Sequence, residues 1–589
     1  MQLNENTKKI EQIAKVSDKP EKITENISEV ISKFSIKSNF SDIDVVKRCG
    51  IKASSIVKLL LILPFLGVSS VLEFITSGYH KSCEGEKDVY YGLKNNEKIN
   101  WRSLLWSMAK SFRILLLSSD EELKSINNGT NQVKAIVFDD SVLEKTGKTI
   151  EGVGYVHDHC KDFHVLGYKI LVCGFWDGAS FIPLDFTIHK EKRDKELKKA
   201  AKRLAAKEGQ LSRTLSEVGD VKKKIKHQRK VLYSLKCAYK NKRNKTNESK
   251  VEKRQSAIIR LDNKLSLLRV KVQKLTTERD HNHNTYSEIK LTYKRCGLTK
   301  SEQQRQYKKK RERNSSGYKR SKETGVNKID SMIKMFKRAV RHGFIPDYIL
   351  TDTWFFCGKL LSEVVRCSKN VNLVAMAPIG ISKYRVLPKG KTMTPKEIIT
   401  AYERKHAKNS RKYKSKYIEL QAEYQGMRVK IFLIKFGRHS KWRMLVTTEL
   451  NMSFIKIIEV YRIRWTIEVF FKECKQYLHL GKCQSQDFDA QIADATLALM
   501  RYILLSYYER IHYGMTIGGL FRELSQLSIK ENLLADINIY FSELLKIFAE
   551  MAGVDFITFY EGLLRNKKVH ELSDTFGIMF MNSEIRQSA

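Results

Sequence analysis

The stretch YRIRWTIEVFFKECKQYL, residues 461–478, carries the most informative pattern in this sequence. Read as one helix at about 100° per residue, it brings Tyr461, Arg464, Glu468 and Lys475 within roughly 60° of one another. A separate apolar arc of the same helix can seat it in a core, formed by Ile463, Ile467, Phe470, Phe471, Cys474 and Leu478. One carboxylate among cations, facing the same way, suits a metal ligand that works beside a phosphate backbone. The alternative is an amphipathic helix whose charges are solvated or paired along the surface.

Composition points to a polyanionic partner. The chain has 589 residues, enough for several domains, and a formal net charge of +43 with a pI near 9.7. Nucleic acid is the simplest partner for such a charge. Because charge says nothing about chemistry, a purely DNA-binding role stays open at this point.

The cysteines and the first residues indicate a cytoplasmic protein. Ten cysteines are scattered without a C-x-x-C pair, which fits reduced thiols better than a disulfide framework. The N-terminus lacks the apolar core of a signal peptide. The run 56–68 is short and holds Lys58 and Pro64, so it predicts a buried helix rather than a membrane span.

One cluster of potential metal ligands stands apart from these patterns. It consists of His157, His159, Cys160 and His164. The spacing matches no standard zinc finger and no second ligand pair follows, so zinc is not expected here.

Short apolar runs predict a mixed sheet. AIVF, residues 135–138, ends on Asp139 and Asp140, and two later β-prone runs meet at Asp177-Gly178, a strong hairpin signal. In DYILTDTWF, residues 347–355, a strand leads into Asp352. Neighbouring parallel strands can bring these acids together at their carboxyl ends, where open α/β sheets place ligands.

A basic segment interrupts the sheet. Residues 190–325 hold 43 Lys and Arg against 15 Asp and Glu, a surplus of 28. Apolar residues recur at heptad spacing over 197–232 and 258–275, which predicts two long helices folded back as a hairpin and followed by a basic tail. The hairpin is either a solvated spacer or an arm that lies along DNA phosphates, and the charge surplus favours the arm.

These patterns divide the chain into eight parts. They are a polar, poorly ordered segment (1–30), a helical N-terminal domain that is a candidate for DNA binding (31–125), the first part of an α/β core (126–189), the basic coiled-coil-like insertion (190–325), the second part of the core (326–380), a β-rich insertion (381–445), the core with the Tyr461 helix (446–508) and a C-terminal helical region (509–589).

The acidic points form a candidate catalytic set. Asp139 or Asp140, Asp352 and Glu468 can together hold two Mg²⁺ ions roughly 4 Å apart, which would serve phosphodiester cleavage. Carboxylates suit magnesium or manganese better than zinc. Each acid alone also has a structural interpretation, as a turn, a helix cap or a surface ion pair.

Three motifs of this sequence resemble those of bacterial DDE transposases. AIVFDDS, YILTDTWF and YRIRWTIEVFFKECK are similar to the acidic motifs of the IS-four insertion-sequence family, with its Y-x2-R-x3-E-x6-K signature. The resemblance covers residues 134–508 without the insertions. It implies a ribonuclease-H-like catalytic domain with a β-rich insert and cut-and-paste movement of a DNA element. It also implies a homodimer that holds terminal inverted repeats and target DNA, strand transfer, and cleavage through a DNA hairpin.

The resemblance also implies roles for single residues. Asp352 and Glu468 correspond to the second and third ligands of Mg²⁺ or Mn²⁺, and either Asp139 or Asp140 corresponds to the first. Arg464, Tyr461 and Lys475 would grip the phosphates that flank the cut, Arg by a bidentate contact and Lys as a point charge. The long insertion at 190–325 departs from the family pattern.

Two other functions remain compatible with the same residues. A metal-dependent DNA nuclease without strand transfer would use the same acids. A non-catalytic, transposase-derived DNA-binding protein would need only the basic surface.

Overall fold

The computed structural model describes residues 27–34, 50–77, 85–118, 132–190, 193–241, 243, 245–296, 298–367, 370–388, 390–437, 439–511 and 515–568. The expected disorder of the first residues, up to 26, lies outside this part of the chain. The chain divides into two compact units. The first comprises Met1–Val153, Gly167–His189 and Gln306–Ala589, and the second comprises Gly154–Leu166 and Lys190–Arg305.

The described elements are twelve strands and seventeen α-helices. The strands are β1 (Ala135–Glu144), β2 (Gly154–Asp158), β3 (Phe163–Trp176), β4 (Phe181–His189), β5 (Tyr348–Thr351), β6 (Asn372–Ala377), β7 (Tyr384–Val386), β8 (Lys391–Met393), β9 (Lys408–Ser410), β10 (Ser415–Tyr424), β11 (Met427–Phe436) and β12 (Arg443–Thr447). The helices are α1 (Ile27–Lys33), α2 (Ala53–Ile62), α3 (Val71–Thr76), α4 (Lys87–Lys94), α5 (Trp101–Ser118), α6 (Arg193–Asn241), α7 (Lys245–Cys296), α8 (Lys300–Gln304), α9 (Ser316–Glu323), α10 (Lys328–Arg341), α11 (Gly358–Cys367), α12 (Pro395–His406), α13 (Phe454–Arg462), α14 (Trp465–Gln476), α15 (Phe488–Ile511), α16 (Ile517–Met551) and α17 (Phe556–Leu564).

A mixed sheet organises the first unit. Its order is β4-β3-β1-β5-β6-β12-β11-β10-β7-β8, with β9 beside β10. β1 runs antiparallel to β3 and parallel to β5, and β5 runs parallel to β6. β12 then pairs with β6 in the antiparallel direction, so the strands of the β-rich segment extend the same sheet.

The first predicted strand is longer than expected. The sequence indicates a strand that ends before Asp139, but β1 continues to Glu144 because β3 keeps pairing with it as far as Gly167. The parallel partner β5 pairs only up to Phe138 opposite Thr351. Asp139 therefore lies where the parallel ladder ends, inside a strand rather than after it.

The hairpin predicted at Asp177-Gly178 is confirmed. β3 and β4 pair antiparallel on either side of it. The Asp177 carboxylate accepts hydrogen bonds from the backbone N–H of Ala179 at 2.9 Å and of Ser180 at 2.7 Å. Gly178 has φ +113°, a conformation that residues with a side chain rarely adopt.

The N-terminal helices are tied to the core through α15. This helix is buried over most of its length and packs against α5 and β4. The buried Arg501 guanidinium donates to the carbonyls of Leu60 and Leu61, which end α2, and to that of Leu478. In the described part of the chain, no helix combines the length and apolar character that crossing a membrane requires.

The second unit is a helical hairpin, as the heptad spacing predicts. α6 and α7 pack along most of their length. Their central seam contains the buried residues Val221, Ile225, Leu265 and Leu268, with Val218 and Leu261 packed against it. Most other positions on both helices are solvated, which explains why so many cations are tolerated there.

The predicted basic tail after the hairpin is not a tail. From residue 306 the chain belongs to the first unit, where Lys309 and Arg311 enter a cluster of carboxylates. Arg311 contacts Glu151 at 2.7 Å and Asp489 at 3.0 Å, and only 4% of its side chain is exposed. Lys309 lies 2.9 Å from both Asp487 and Asp489. Because the acidic partners lie far away in sequence, the local charge pattern predicted a basic tail here.

Candidate active site

Residues 461–478 form two helices rather than one. α13 ends at Arg462 and α14 begins at Trp465. Between them the backbone tightens to i→i+3 hydrogen bonds, from Arg464 N to Tyr461 O at 3.1 Å and from Thr466 N to Ile463 O at 3.0 Å. The prediction of a single helix was therefore wrong at residues 463 and 464. The Thr466 hydroxyl also donates to the Ile463 carbonyl at 2.8 Å. In a regular helix this carbonyl would instead accept from the backbone N–H four residues later.

The signature side chains nevertheless converge on β1. Arg464 donates to the carboxylates of Asp139, at 3.3 Å, and Glu468, and its guanidinium carbon lies 5.7 Å from the centre of the Tyr461 ring. Lys475 donates to the Ser141 hydroxyl at 2.7 Å. The Arg464–Glu468 pair is also the surface ion pair that the structural interpretation of Glu468 expects, so geometry alone leaves both interpretations standing.

Asp139 and Asp352 are brought to the same edge of the sheet. In the parallel register Phe138 lies opposite Thr351, so the next residue on each strand is one of the two acids. Burial raises the pKa of Asp139 to about 7, and the negative charges of Asp140 and Asp352 raise it as well. The hydrogen bond from Asp140 N and the charge of Arg464 oppose this rise but do not cancel it.

Asp352 is not used as a helix cap. It precedes a 3₁₀ turn, Thr353–Phe355, but its side chain makes no capping hydrogen bond. The structural interpretation of this acid is therefore not supported by its contacts. The adjacent Trp354 has 60% of its surface exposed.

Asp140 has a different environment from Asp139. Successive side chains of a strand point to opposite faces of the sheet, and the Asp140 carboxylate contacts Lys328 Nζ at the start of α10. The same Lys328 ammonium lies 4.9 Å from the centre of the Trp354 ring. Sequence analysis missed Lys328 because nothing distinguishes it from the many neighbouring lysines.

The buried Tyr461 hydroxyl lies beside the Arg464 guanidinium but makes no hydrogen bond of regular geometry among the described residues. Burial also raises the pKa of Tyr461, so the group is a neutral donor at physiological pH. A buried polar atom without a partner is costly, which makes this hydroxyl available to a ligand that enters the site.

No three His, Cys, Asp or Glu side chains in the described part of the chain are placed so that they could hold a metal ion. Around Asp139, the Arg464 guanidinium bridges the carboxylates of Asp139 and Glu468. In the histidine cluster, His157 Nδ1 and His159 Nδ1 lie 3.2 Å apart. Its described side chains also form no group of three potential metal ligands.

Comparison with known proteins supports a DDE transposase. The family model described as "Transposase DDE domain" matches residues 222–504. The match includes Asp352 and Glu468 and begins after Asp139 and Asp140. No curated protein matches the chain. The mixed α/β fold is compatible with such an enzyme, and the match supports a transposase function that acts on DNA.

Proposed function

We propose that this protein is a transposase of the IS-four family that cleaves DNA at the ends of an insertion sequence and joins those ends to target DNA. One observation carries the proposal. Asp139 and Asp352 lie side by side where the β1–β5 ladder ends, and Arg464 links Asp139 to Glu468. These three acids come from three distant motifs, and their convergence at one edge of the sheet is the arrangement that a metal-dependent active site requires.

We infer a ribonuclease-H-like core for the first unit. Three neighbouring antiparallel strands of the sheet, β1, β3 and β4, are followed in the chain by β5 and β6, which run parallel to β1. This arrangement supports the fold that the sequence resemblance implies. The strands between β6 and β12 correspond to the β-rich insertion before the third acid.

The acids fit a hard divalent cation by their chemistry. DDE transposases generally use divalent metal ions, and Asp139, Asp352 and Glu468 offer only carboxylate oxygens, which Mg²⁺ and Mn²⁺ prefer. Burial raises the pKa of Asp139 more than the Arg464 charge lowers it, so a bound cation would favour the ionised carboxylate. Two bound ions would activate water or a 3′-hydroxyl and stabilise the leaving oxygen of a phosphodiester.

The cations and the tyrosine would position DNA. Arg464 can turn from the carboxylates to a phosphate without leaving the site, and it presents two parallel donors to it. The Tyr461 hydroxyl, which makes no hydrogen bond of regular geometry within the described residues, can donate to the same backbone. Lys475, held by Ser141, adds a point charge beside β1. Fixing the scissile phosphate in this way reduces the entropy cost of reaching the in-line geometry.

The proposed partners follow from this function. They are duplex DNA with terminal inverted repeats, target DNA, and a second copy of the chain in the complex that pairs the two ends. The enzyme would act in the cytoplasm, at the nucleoid. The net charge of +43 supports a polyanionic partner.

The proposal is tested with labelled DNA that carries the terminal repeats of the element, incubated with Mg²⁺ or Mn²⁺. We expect wild-type protein to cut at the repeat end and Glu468→Ala to cut at background level while binding the DNA normally. Glu459→Ala is the matched control, because Glu459 is exposed on α13 and forms a surface ion pair with Lys412, away from the three acids. Cleavage by Glu468→Ala at the wild-type rate would refute the assignment.

The same assay separates the alternatives. Metal-dependent cutting without joined products, when target DNA is present, would leave a nuclease without strand transfer. Tight binding without cutting, beside an active control transposase, would leave a non-catalytic DNA-binding protein.

A further inference from the structure

The end of the helical hairpin where α6 leads into α7 is unusually basic. Residues 221–247 contain eleven Lys and Arg and no Asp or Glu. The described cations on this stretch of α6 are exposed. Such a density of one charge is destabilising through self-repulsion, so it is expected where a polyanion neutralises it.

Part of this charge is arranged as a straight stripe. Lys222, Lys226, Arg229 and Tyr233 follow one another at steps of four, three and four residues, which places them on one face of α6. Neighbours at this spacing are about 5–6 Å apart, and the stripe is roughly 16 Å long. Tyr233 has 74% of its surface exposed.

The stripe forms one wall of a groove of about 770 Å³ between α6 and α7. Lys230 continues the cationic wall, and Arg269 of α7 lies across from it. The buried side chains of Ile225 and Leu265 form the floor, so the seam of the hairpin fixes the helix that carries the cations. The wall is therefore preorganised, although its side chains end in solvent.

Asp262 is the one acidic residue among those that line the groove in the described part of the chain. It lies 3.3 Å from Arg229, and most of the Arg229 side chain is exposed. Exposed pairs of this kind contribute little free energy, so a phosphate can displace the carboxylate at small cost.

We propose that this groove, defined by Lys222, Lys226, Arg229, Lys230, Tyr233 and Arg269, binds the phosphate backbone of duplex DNA without regard to sequence. A rigid line of cations suits a regular backbone, and each neutralised phosphate releases counterions. Unpaired strands are held by series of aromatic platforms, and among the described residues Tyr233 is the single aromatic side chain that lines this groove. The inference goes beyond the proposed catalytic function, since backbone binding needs none of the acids.

The test measures the salt dependence of DNA binding by full-length protein. Fluorescence anisotropy with a random-sequence duplex of about 40 base pairs, in EDTA and at several NaCl concentrations, excludes both cleavage and repeat recognition. Lys226→Gln combined with Arg229→Gln removes two cations from the groove. We expect the slope of log Kd against log salt to fall by about 1.8, because each phosphate contact contributes about 0.9.

Arg213→Gln combined with Lys224→Gln is the matched control. It removes one Arg and one Lys from the same helix, and both are exposed on the face away from the groove. We expect this control to change the slope by less than half as much. Equal changes of the slope in the two variants would show that DNA binds to diffuse charge and would contradict the proposed groove. An unchanged slope in the groove variant would overturn it as well.

Two further measurements keep the outcome specific. Repeating the titration with single-stranded RNA of equal length would overturn the duplex DNA assignment if the groove variant lost more affinity for RNA. Assaying repeat-end cleavage by the wild type in parallel separates this inference from the proposed function. If the salt slope depends on the groove residues but the wild type does not cleave DNA, the proposed groove is supported and the proposed transposase function is refuted. Circular dichroism melting curves confirm that both variants are folded.

Discussion

At the scale of single residues, Arg464 is the side chain that links the acids of the candidate site. One guanidinium contacts carboxylates from β1 and α14, and it lies beside the Tyr461 ring. In this arrangement Arg464 substitutes for part of the positive charge that the acids would otherwise receive from a cation. Its own burial is partial, with 14% of the side chain exposed, so it can exchange partners without unfolding its surroundings.

Replacing Arg464 should therefore affect catalysis more than stability. We expect Arg464→Ala to slow cleavage about 100-fold, the usual effect of removing one preorganised donor from a reacting centre. Arg464→Lys should recover only a small part of the rate, since an ammonium cannot make the two parallel contacts. Single-turnover cleavage rates and melting temperatures test this expectation. A large loss of melting temperature in Arg464→Ala would make the residue structural.

The two adjacent aspartates should differ. Asp139 faces Arg464 and Asp352, whereas Asp140 is paired with Lys328. We expect Asp139→Asn to lose cleavage completely and Asp140→Asn to keep at least about a tenth of the wild-type rate, because it removes only a supporting pair. Single-turnover cleavage of repeat-end DNA by the two variants decides the matter. The reverse order of activities would assign the first metal ligand to Asp140.

At the scale of elements, local sequence patterns predict individual helices and hairpins better than they predict where those elements begin, end and pair. The β3–β4 hairpin and the helices of the second unit follow from turn chemistry and heptad spacing, which act within a few residues. The break at Ile463 and Arg464 and the extension of β1 to Glu144 were not predictable in this way. The extension depends on pairing with β3, whereas the break coincides with the hydrogen bond from the Thr466 hydroxyl to the Ile463 carbonyl, which apolar periodicity does not reveal.

The packing of α14 on α15 should depend on pH. Burial and the charge of Glu509 raise the pKa of Glu473 from 4.5 to about 7. A carboxyl group with a raised pKa in the folded state favours folding while it is protonated, so this contribution fades as the pH rises from about 4.5 through 7. We expect Glu473→Gln to raise the melting temperature by a few degrees at pH 8 and to leave it unchanged at pH 4.5. Equal shifts at both values would contradict the assigned protonation.

The close approach of β1 and β3 should tolerate no side chain at Gly167. A Cβ at this position would lie 2.1 Å from the Leu143 carbonyl oxygen, so the strands would have to separate. We expect Gly167→Ala to lower the free energy of unfolding by about 1–3 kcal/mol, measured by urea denaturation. Gly92→Ala on α4 is the control, because a Cβ there meets nothing within 4 Å and alanine favours helix. Similar losses in both variants would argue against the steric cause.

At the scale of the whole molecule, charge serves two purposes that sequence alone does not separate. The cations of α6 and α7 are mostly exposed, whereas Lys309 and Arg311 neutralise buried acids of the first unit. The acids of the candidate site were recognisable because each lies in a short local motif. The partners of Arg311 lie at least 160 residues away in the chain, so no local motif marks it.

Neighbouring cations should therefore contribute very differently to the free energy of unfolding. Arg311→Met leaves Glu151, Asp487 and Asp489 without their shared partner, so we expect a loss of about 3–5 kcal/mol in the free energy of unfolding. Lys310→Met, at an exposed position, should change it by less than about 0.5 kcal/mol. Urea denaturation of both variants tests the difference. Comparable stabilities would mean that the carboxylate cluster is solvated.

The bond between Arg464 and Asp139 joins residues that are 325 positions apart. During synthesis the ribosome adds about 5–20 residues per second, so this interval corresponds to roughly 15–65 seconds of translation. β1 and its aspartates emerge long before the helix that completes the cluster. Nascent and prematurely terminated chains would thus carry the basic helices before the acids of β1 and α14 are brought together.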